Sequence, residues 1–161
     1  MKTNTQKIVM ASMLAALCCV ATMIIKIPSP LKGYLNLGDC VVLLAGWLLP
    51  GGYGFLAAGL GSALADVFSG YVIYAPATFI IKGIMALIAH YLNKDGKTSG
   101  RILGGALAEI EMVLGYFVFE GFMYGFAPSL VNIPANGVQG IAGLVIGLIL
   151  VKVLDKTKIF R

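Results

Sequence analysis

Six apolar segments follow one another along the chain, and this succession constrains the fold more than any other feature of the sequence. Hydrophobic residues make up 59% of the 161 residues and charged residues only 12%, whereas an average soluble domain has about 45–50% and 25%. A helix needs about 20 apolar residues to cross a hydrocarbon core of ~30 Å. We therefore expect an all-α integral membrane protein, a compact bundle of six transmembrane helices that forms a single domain over residues 1–161.

Proline, glycine and charged loops set the expected bounds of the segments. The segments run over residues 8–25, 35–49, 53–68, 76–92, 101–124 and 134–154. The second segment is the shortest, because about 15 residues reach only about 22 Å as a helix. It therefore either crosses the membrane together with the third segment or forms a re-entrant hairpin with it.

The positive charges indicate the orientation. If all six segments cross, the basic clusters fall on one side and only two lysines fall on the other, and the positive-inside bias makes the richer side cytoplasmic. We expect both termini to be cytoplasmic. The net charge of +5 suits anionic lipid headgroups and requires no nucleic acid as a partner. The richer side holds Lys2, Lys7, Lys94, Lys97, Arg101, Lys152, Lys156, Lys158 and Arg161, and the other side holds Lys26 and Lys32.

Charged residues inside apolar segments are costly in a membrane, so each is a candidate for function. They are Asp39, Asp66, Lys82, Glu109, Glu111 and Glu120. Counting along the helices places Lys82 and Glu111 at similar depth, within the reach of a lysine side chain, so the sequence allows an ion pair between them. A structural ion pair and a ligand-binding role for Lys82 both remain open from the sequence.

A second group of polar residues falls at one end of the segments, on the expected outer side. Asn132, Asn136 and Gln139 are spaced by four and three residues, so their amides share one helix face. Amides supply hydrogen-bond donors and acceptors, and tyrosine rings supply stacking surfaces. This combination favours a small, planar, heteroatom-rich ligand that enters from outside. The other members are Asn36, Asp39, Asp66, Tyr71, Tyr74, Glu120 and Tyr124.

No catalytic or metal motif accompanies these residues. The "GKT" at 96–98 lacks the first glycine of a phosphate-binding loop, and His90 has no second histidine or cysteine cluster beside it. We therefore expect no metal, no cofactor and no catalytic residue in this chain. Two alternatives stay open: a small intramembrane enzyme that uses Glu109, Glu111 and Glu120 as acid and base groups, and a structural helper subunit.

The stretch "NLGDCVVLLAGWLLPGGYGFLAAGLGSALADVFSGYVIYAPATFIIKG", residues 36–83, resembles the substrate-binding S components of energy-coupling factor (ECF) vitamin transporters. The resemblance is strongest to the riboflavin-transporter subgroup, which also includes proteins assigned to pyridoxine or hydroxymethylpyrimidine. It continues in "NIPANGVQGIAGLVIG", residues 132–147, and in the alanine pattern of the first segment.

The resemblance implies a subunit that captures a vitamin at the outer face of a prokaryotic cell membrane. Such a subunit docks onto a transmembrane coupling protein and two ATPases and topples in the membrane to deliver its ligand, so the missing phosphate loop is expected. It implies that Ala11 and Ala15 contact the coupling protein. Vitamin B6 or hydroxymethylpyrimidine is our expected ligand, with riboflavin or another vitamin as the alternative.

The residues and the resemblance together give one set of candidate substrate-binding side chains. Tyr116 enters this set through the resemblance alone. The set is Asn36, Asp39, Asp66, Tyr71, Tyr74, Lys82, Glu111, Tyr116, Glu120, Asn132, Asn136 and Gln139.

Overall fold

Six helices of eleven or more residues dominate the described part of the chain. The structure is a computed structural model that describes residues 3–29, 31, 33–93 and 96–157. Lys2, Lys32, Lys94, Lys158 and Arg161, which entered the charge pattern, lie outside the described residues. The elements in chain order are α1 (Asn4–Ile24), β1 (Ile27–Pro28), β2 (Tyr34–Leu35), α2 (Gly38–Leu48), α3 (Gly51–Phe68), α4 (Ala75–Leu92), α5 (Thr98–Tyr124), α6 (Phe126–Ser129), a 3₁₀ turn (Leu130–Asn132) and α7 (Ile133–Thr157).

The helix ends follow local sequence signals, and both ends of each of the six long helices lie within four residues of the predicted bounds. Helix α1 begins at Asn4, earlier than its apolar run, because Thr3 and Gln6 form a capping box. Helix α5 ends at Gly125, whose φ of 95° is accessible to glycine at little cost. The short antiparallel hairpin β1–β2 was not predicted, since two-residue strands carry no alternating pattern.

The long helices run alternately between two ends of the bundle. At the end that carries β1–β2, here called the hairpin end, Lys26 donates a hydrogen bond to Ser69 over 3.0 Å. At the opposite end, Arg101 of α5 forms an ion pair with Asp155 of α7 over 2.6 Å. These contacts fix which helix ends lie together.

Helix α2 is the central element. Ten of its eleven residues are buried, and it packs against α1, α3, α4 and α7. Its length of about 16 Å falls well short of a ~30 Å hydrocarbon core. The other helices surround it and supply the apolar contacts that lipid would otherwise make.

Small residues bring the helices into close contact, because their missing bulk lets two backbones approach. Gly54, Ala58, Gly61 and Ala65 of α3 are all buried. A Cβ built at Gly61 would lie 2.4 Å from the carbonyl oxygen of Ala15. Glycine is therefore required where α3 crosses α1.

Four helical segments among the described residues are long and apolar enough to cross a membrane. They are Asn4–Ile24, Ala75–Leu92, Thr98–Tyr124 and Phe126–Thr157, the last of which combines α6, the 3₁₀ turn and α7. Many large apolar side chains on these helices are exposed on the outside of the bundle. An apolar exterior of this kind is expected where lipid replaces water.

Candidate functional site

A cavity of about 400 Å³, including its open mouth, lies at the hairpin end of the bundle. Its walls come from the hairpin and from the neighbouring ends of α3, α4, α5 and α7. Eight of the twelve candidate side chains predicted from the sequence line it. The lining residues are Ser29, Gly33, Tyr34, Asn36, Asp66, Tyr71, Tyr74, Thr78, Tyr116, Glu120, Asn136 and Gln139.

One wall is built from tyrosines that are held by a buried carboxylate. The Tyr34 hydroxyl donates a hydrogen bond to Asp66 Oδ1 over 2.6 Å, and the Tyr34 and Tyr71 rings lie 4.7 Å apart. Burial, with the Asp66 charge as a smaller cause, raises the pKa of the Tyr34 hydroxyl above its usual range. Tyr34 therefore remains a donor at neutral pH, and its ring is fixed at the mouth.

The opposite wall is organised around Glu120. Tyr74 donates a hydrogen bond to Glu120 Oε1 over 3.3 Å, and Asn132 Nδ2 donates to both Glu120 oxygens over 2.9 Å. Asn132 in turn accepts from the Leu31 backbone N–H over 3.2 Å. Asn132 thus lies behind the cavity and ties the hairpin loop to α5.

The floor is a chain of polar contacts that ends in a buried ion pair. The Asn36 backbone N–H donates to Gln139 Oε1 over 2.8 Å, and Gln139 Nε2 donates to Asp39 Oδ2 over 2.6 Å. The other oxygen, Asp39 Oδ1, pairs with the Lys82 ammonium. Asp39 is 0% and Lys82 2% exposed, so both charges lie beneath the cavity rather than in its lining.

Aromatic and hydroxyl groups complete the side of the floor toward α5. Thr78 and Tyr116 share a hydrogen bond over 3.0 Å. The Lys82 ammonium lies 5.4 Å from the centre of the Tyr116 ring, within the range of a cation–π contact. Tyr116 therefore joins the cavity wall to the buried ion pair.

The ion pair between Lys82 and Glu111 that the sequence left open does not form, because Lys82 pairs with Asp39. Glu111 lies on an apolar groove between α4 and α5, apart from the cavity. Glu109 lies near Gly140 and Gly143 of α7, and neither of its carboxyl oxygens has a hydrogen-bond partner among the described residues. The three glutamates of α5 are therefore not assembled into one acid–base site.

Sequence reasoning missed four lining residues, namely Ser29, Gly33, Tyr34 and Thr78. Three of them belong to the loop and hairpin between α1 and α2, where no periodic pattern marks a face. Of these residues only Tyr34 could have been found from the sequence, because it is a tyrosine two residues before the candidate Asn36 in the same short loop. Thr78 lies one helical turn before Lys82, on the same face of α4.

The arrangement is suited to binding rather than to catalysis. Amides and carboxylates provide donors and acceptors in fixed places, and four tyrosine rings provide flat apolar surfaces. Within the described ranges, no three His, Cys, Asp or Glu side chains are grouped so as to hold a metal ion.

Comparisons with known proteins agree with this architecture. Residues 2–156 match the family model described as "ECF-type riboflavin transporter, S component". The fold also matches a solved structure described as "Structure and mechanism of the S component of a bacterial ECF transporter". The match has a TM-score of 0.79 and 25% sequence identity, and it covers 96% of this chain and 98% of the solved chain.

Two relatives extend the comparison. An uncharacterised protein of Pyrococcus woesei is 40% identical over 130 residues, which is 80% of this chain and 87% of the relative. The "Thiamine precursor transporter HmpT" of Lactococcus lactis subsp. cremoris is 27% identical over 160 residues, which is 98% of this chain and 93% of the relative. The chain therefore belongs to the family of S components of ECF-type riboflavin transporters, which are subunits of vitamin transporters and not enzymes.

Proposed function

We propose that this chain captures a small, single-ring aromatic vitamin or vitamin precursor in the cavity at the hairpin end. The observation that carries the proposal is the cavity itself, in which tyrosine rings face amides and the buried carboxylates of Asp66 and Glu120. Such a site stacks on both faces of a flat ring and hydrogen-bonds its edge. The hairpin end is then the outer end, from which the ligand enters.

Hydroxymethylpyrimidine is the ligand we favour, and pyridoxine is the second candidate. HmpT, which aligns with nearly the whole chain, is described as a thiamine precursor transporter. The volume of about 400 Å³ includes the space of the open mouth, so the enclosed part of the cavity is smaller than this. A single ring fits such a space more readily than the three fused rings and sugar-like chain of riboflavin, which stays the alternative.

The binding experiment uses the purified full chain in detergent. Isothermal titration calorimetry with hydroxymethylpyrimidine, pyridoxine, thiamine and riboflavin should give tight binding of a single-ring compound without ATP. Thermal shift with the same four compounds provides an independent check. Tight binding of riboflavin alone, or no binding of any of the four, would overturn the proposed specificity.

Delivery inward rests on partner proteins of a prokaryotic cell membrane. We propose that the chain crosses the membrane six times, with α2 as a shortened crossing enclosed by the other helices. We also propose that both termini are cytoplasmic and that the chain docks onto a coupling protein driven by two ATPases. Toppling of the chain in the membrane would then carry the occluded ligand to the cytoplasmic side.

Helix α1 provides the proposed docking face. Ala11 and Ala15 are half-buried, and both also pack against the core. Replacing both alanines with leucine should abolish uptake by cells that supply the ECF partners, while the affinity of the purified chain for its ligand stays unchanged. Ser12 and Ala16, exposed on the adjacent face, are the matched comparison. Loss of uptake only in the Ser12→Leu/Ala16→Leu variant would move the docking face there.

A further inference from the structure

The side-chain amide of Gln139 is held at both of its ends. Its oxygen accepts from the Asn36 backbone N–H over 2.8 Å, and its nitrogen donates to Asp39 Oδ2 over 2.6 Å. Gln139 is 5% exposed and contributes to the cavity lining. The amide is therefore a fixed element of the floor.

The two neighbours dictate the same orientation independently. A backbone N–H can only donate, so the atom that faces Asn36 must be the amide oxygen. An ionised carboxylate can only accept, so the atom that faces Asp39 must be the amide nitrogen. The Lys82 ammonium faces the other oxygen of the completely buried Asp39, and an opposite charge is the partner that a buried carboxylate requires.

An amide held in this way still has one N–H and one oxygen lone pair to offer the cavity. A freely rotating amide cannot distinguish a ring edge that presents a nitrogen beside an amino group from one that presents an N–H beside an oxo group. A half-turn of the amide would match either pattern equally well. An amide that cannot turn matches only one of them, provided that the tyrosine walls hold the rest of the ring.

We propose that the buried Lys82–Asp39 ion pair is a specificity determinant, because it fixes the Gln139 amide so that the floor selects an aminopyrimidine edge over its oxo counterpart. The proposal rests on the proposed function and narrows it to a ligand class that excludes pyridoxine, which has no amino group. Asp39 and Lys82 are positioning residues, and Gln139 is the group that touches the ligand.

The test compares hydroxymethylpyrimidine, which carries the amino group, with its analogue in which an oxo group replaces it. Titration calorimetry of the purified wild-type chain should show a preference of about ten- to a hundredfold for the amino compound, as expected for one paired donor and acceptor. The ratio of the two affinities is the readout, because a general loss of packing weakens both compounds alike.

Asp39→Asn is the decisive variant. The Lys82 ammonium can only donate, so it holds the oxygen of the introduced amide and turns the nitrogen of that amide toward Gln139. Gln139 must then present its own oxygen to this nitrogen, which conflicts with the demand of the Asn36 N–H. The preference should fall to within about threefold or reverse. Adding Lys82→Met frees the introduced side chain to turn its oxygen to Gln139, so the double variant should recover the wild-type preference.

Two further variants complete the design. Gln139→Met removes the amide without adding charge and should abolish the preference. Arg101→Met/Asp155→Asn removes the ion pair at the opposite end of the bundle and should leave the preference unchanged.

The outcomes separate this inference from the proposed function. A wild-type chain that binds the amino compound without preference overturns the inference alone. An Asp39→Asn variant that keeps the preference for the amino compound also overturns the inference alone. If Asp39→Asn cannot be purified, a Gln139→Met variant that keeps the preference has the same consequence. A wild-type chain that binds neither pyrimidine overturns the proposed ligand and this inference together.

Discussion

Glu120 shows how the polar residues around the cavity depend on one another. Its two oxygens accept hydrogen bonds from Tyr74 and Asn132, and it is 2% exposed. Asn132 cannot turn its own amide to suit a changed partner, because its oxygen accepts from the Leu31 N–H. The wall therefore requires a side chain at position 120 whose two terminal atoms are both hydrogen-bond acceptors.

We expect Glu120→Gln to lower the free energy of unfolding by about 1–3 kcal/mol. The new NH2 group would replace either Oε2, which accepts from Asn132, or Oε1, which accepts from both Tyr74 and Asn132, so in either position it would face a donor. Denaturant or thermal unfolding in detergent measures the change.

Glu111→Gln is the matched control on the same helix. Glu111 Oε2 has no hydrogen-bond partner among the described residues, so its change should stay within about 0.5 kcal/mol. Equal losses in the two variants would contradict this account of Glu120.

The sequence identified most of these side chains but not their partners. A charge or amide inside an apolar segment is conspicuous in the sequence, and counting residues along a helix gives its depth. Depth does not give the rotation of the helix, and rotation decided that Lys82 meets Asp39 and not Glu111. Gln139 and Asp39 are 100 residues apart in the chain, so only the tertiary packing brings them together.

At the scale of the elements, α2 departs most from a simple transmembrane helix. Its segment was found from the sequence because its residues are apolar apart from Asp39, which suits burial on all sides. Its reduced length of eleven residues was not predicted. Residues 35–37 belong to the hairpin and the turn after it, and there Asn36 Oδ1 accepts from the Gly38 N–H over 2.8 Å. This bond starts the helix late and places Asn36 and Asp39 at the floor.

The crossing of α1 and α3 gives a prediction about packing. A Cβ at Gly61 would meet the Ala15 carbonyl oxygen at 2.4 Å, and backbone atoms cannot move aside as a flexible side chain can. Gly61→Ala should therefore lower the free energy of unfolding by about 1–3 kcal/mol.

Gly137→Ala is the control, since a Cβ there meets nothing within 4 Å. It should be neutral or stabilising by up to about 1 kcal/mol, because alanine is the better helix former. Thermal unfolding in detergent compares the two, and similar losses would contradict the close contact at Gly61.

At the scale of the whole molecule, the cavity and most of the described basic residues lie at opposite ends. The hairpin end holds the cavity and Lys26, whereas the other end holds Lys7, Lys97, Arg101 and the lysines near the end of α7. By the positive-inside bias we expect the cavity to open outward, as the proposed capture of an external vitamin requires. The sequence predicted this division, because charge placement depends only on the order of the segments.

The final prediction tests that orientation directly. In a chain whose Cys18, Cys19 and Cys40 are replaced by alanine or serine, Val72→Cys and Ser99→Cys place single thiols in exposed positions at the hairpin end and the opposite end. A membrane-impermeant maleimide added to intact cells should label the thiol at position 72 and should reach the one at position 99 only after permeabilisation. The two variants control for each other, because both thiols are exposed, one on the turn before α4 and the other in the first turn of α5. Labelling of position 99 alone from outside would invert the chain and place the cavity at the cytoplasmic face, and the capture of an external ligand by this cavity would then be wrong. Labelling of both from outside would mean that α4 does not cross the membrane, because α4 is the helix that separates the two positions.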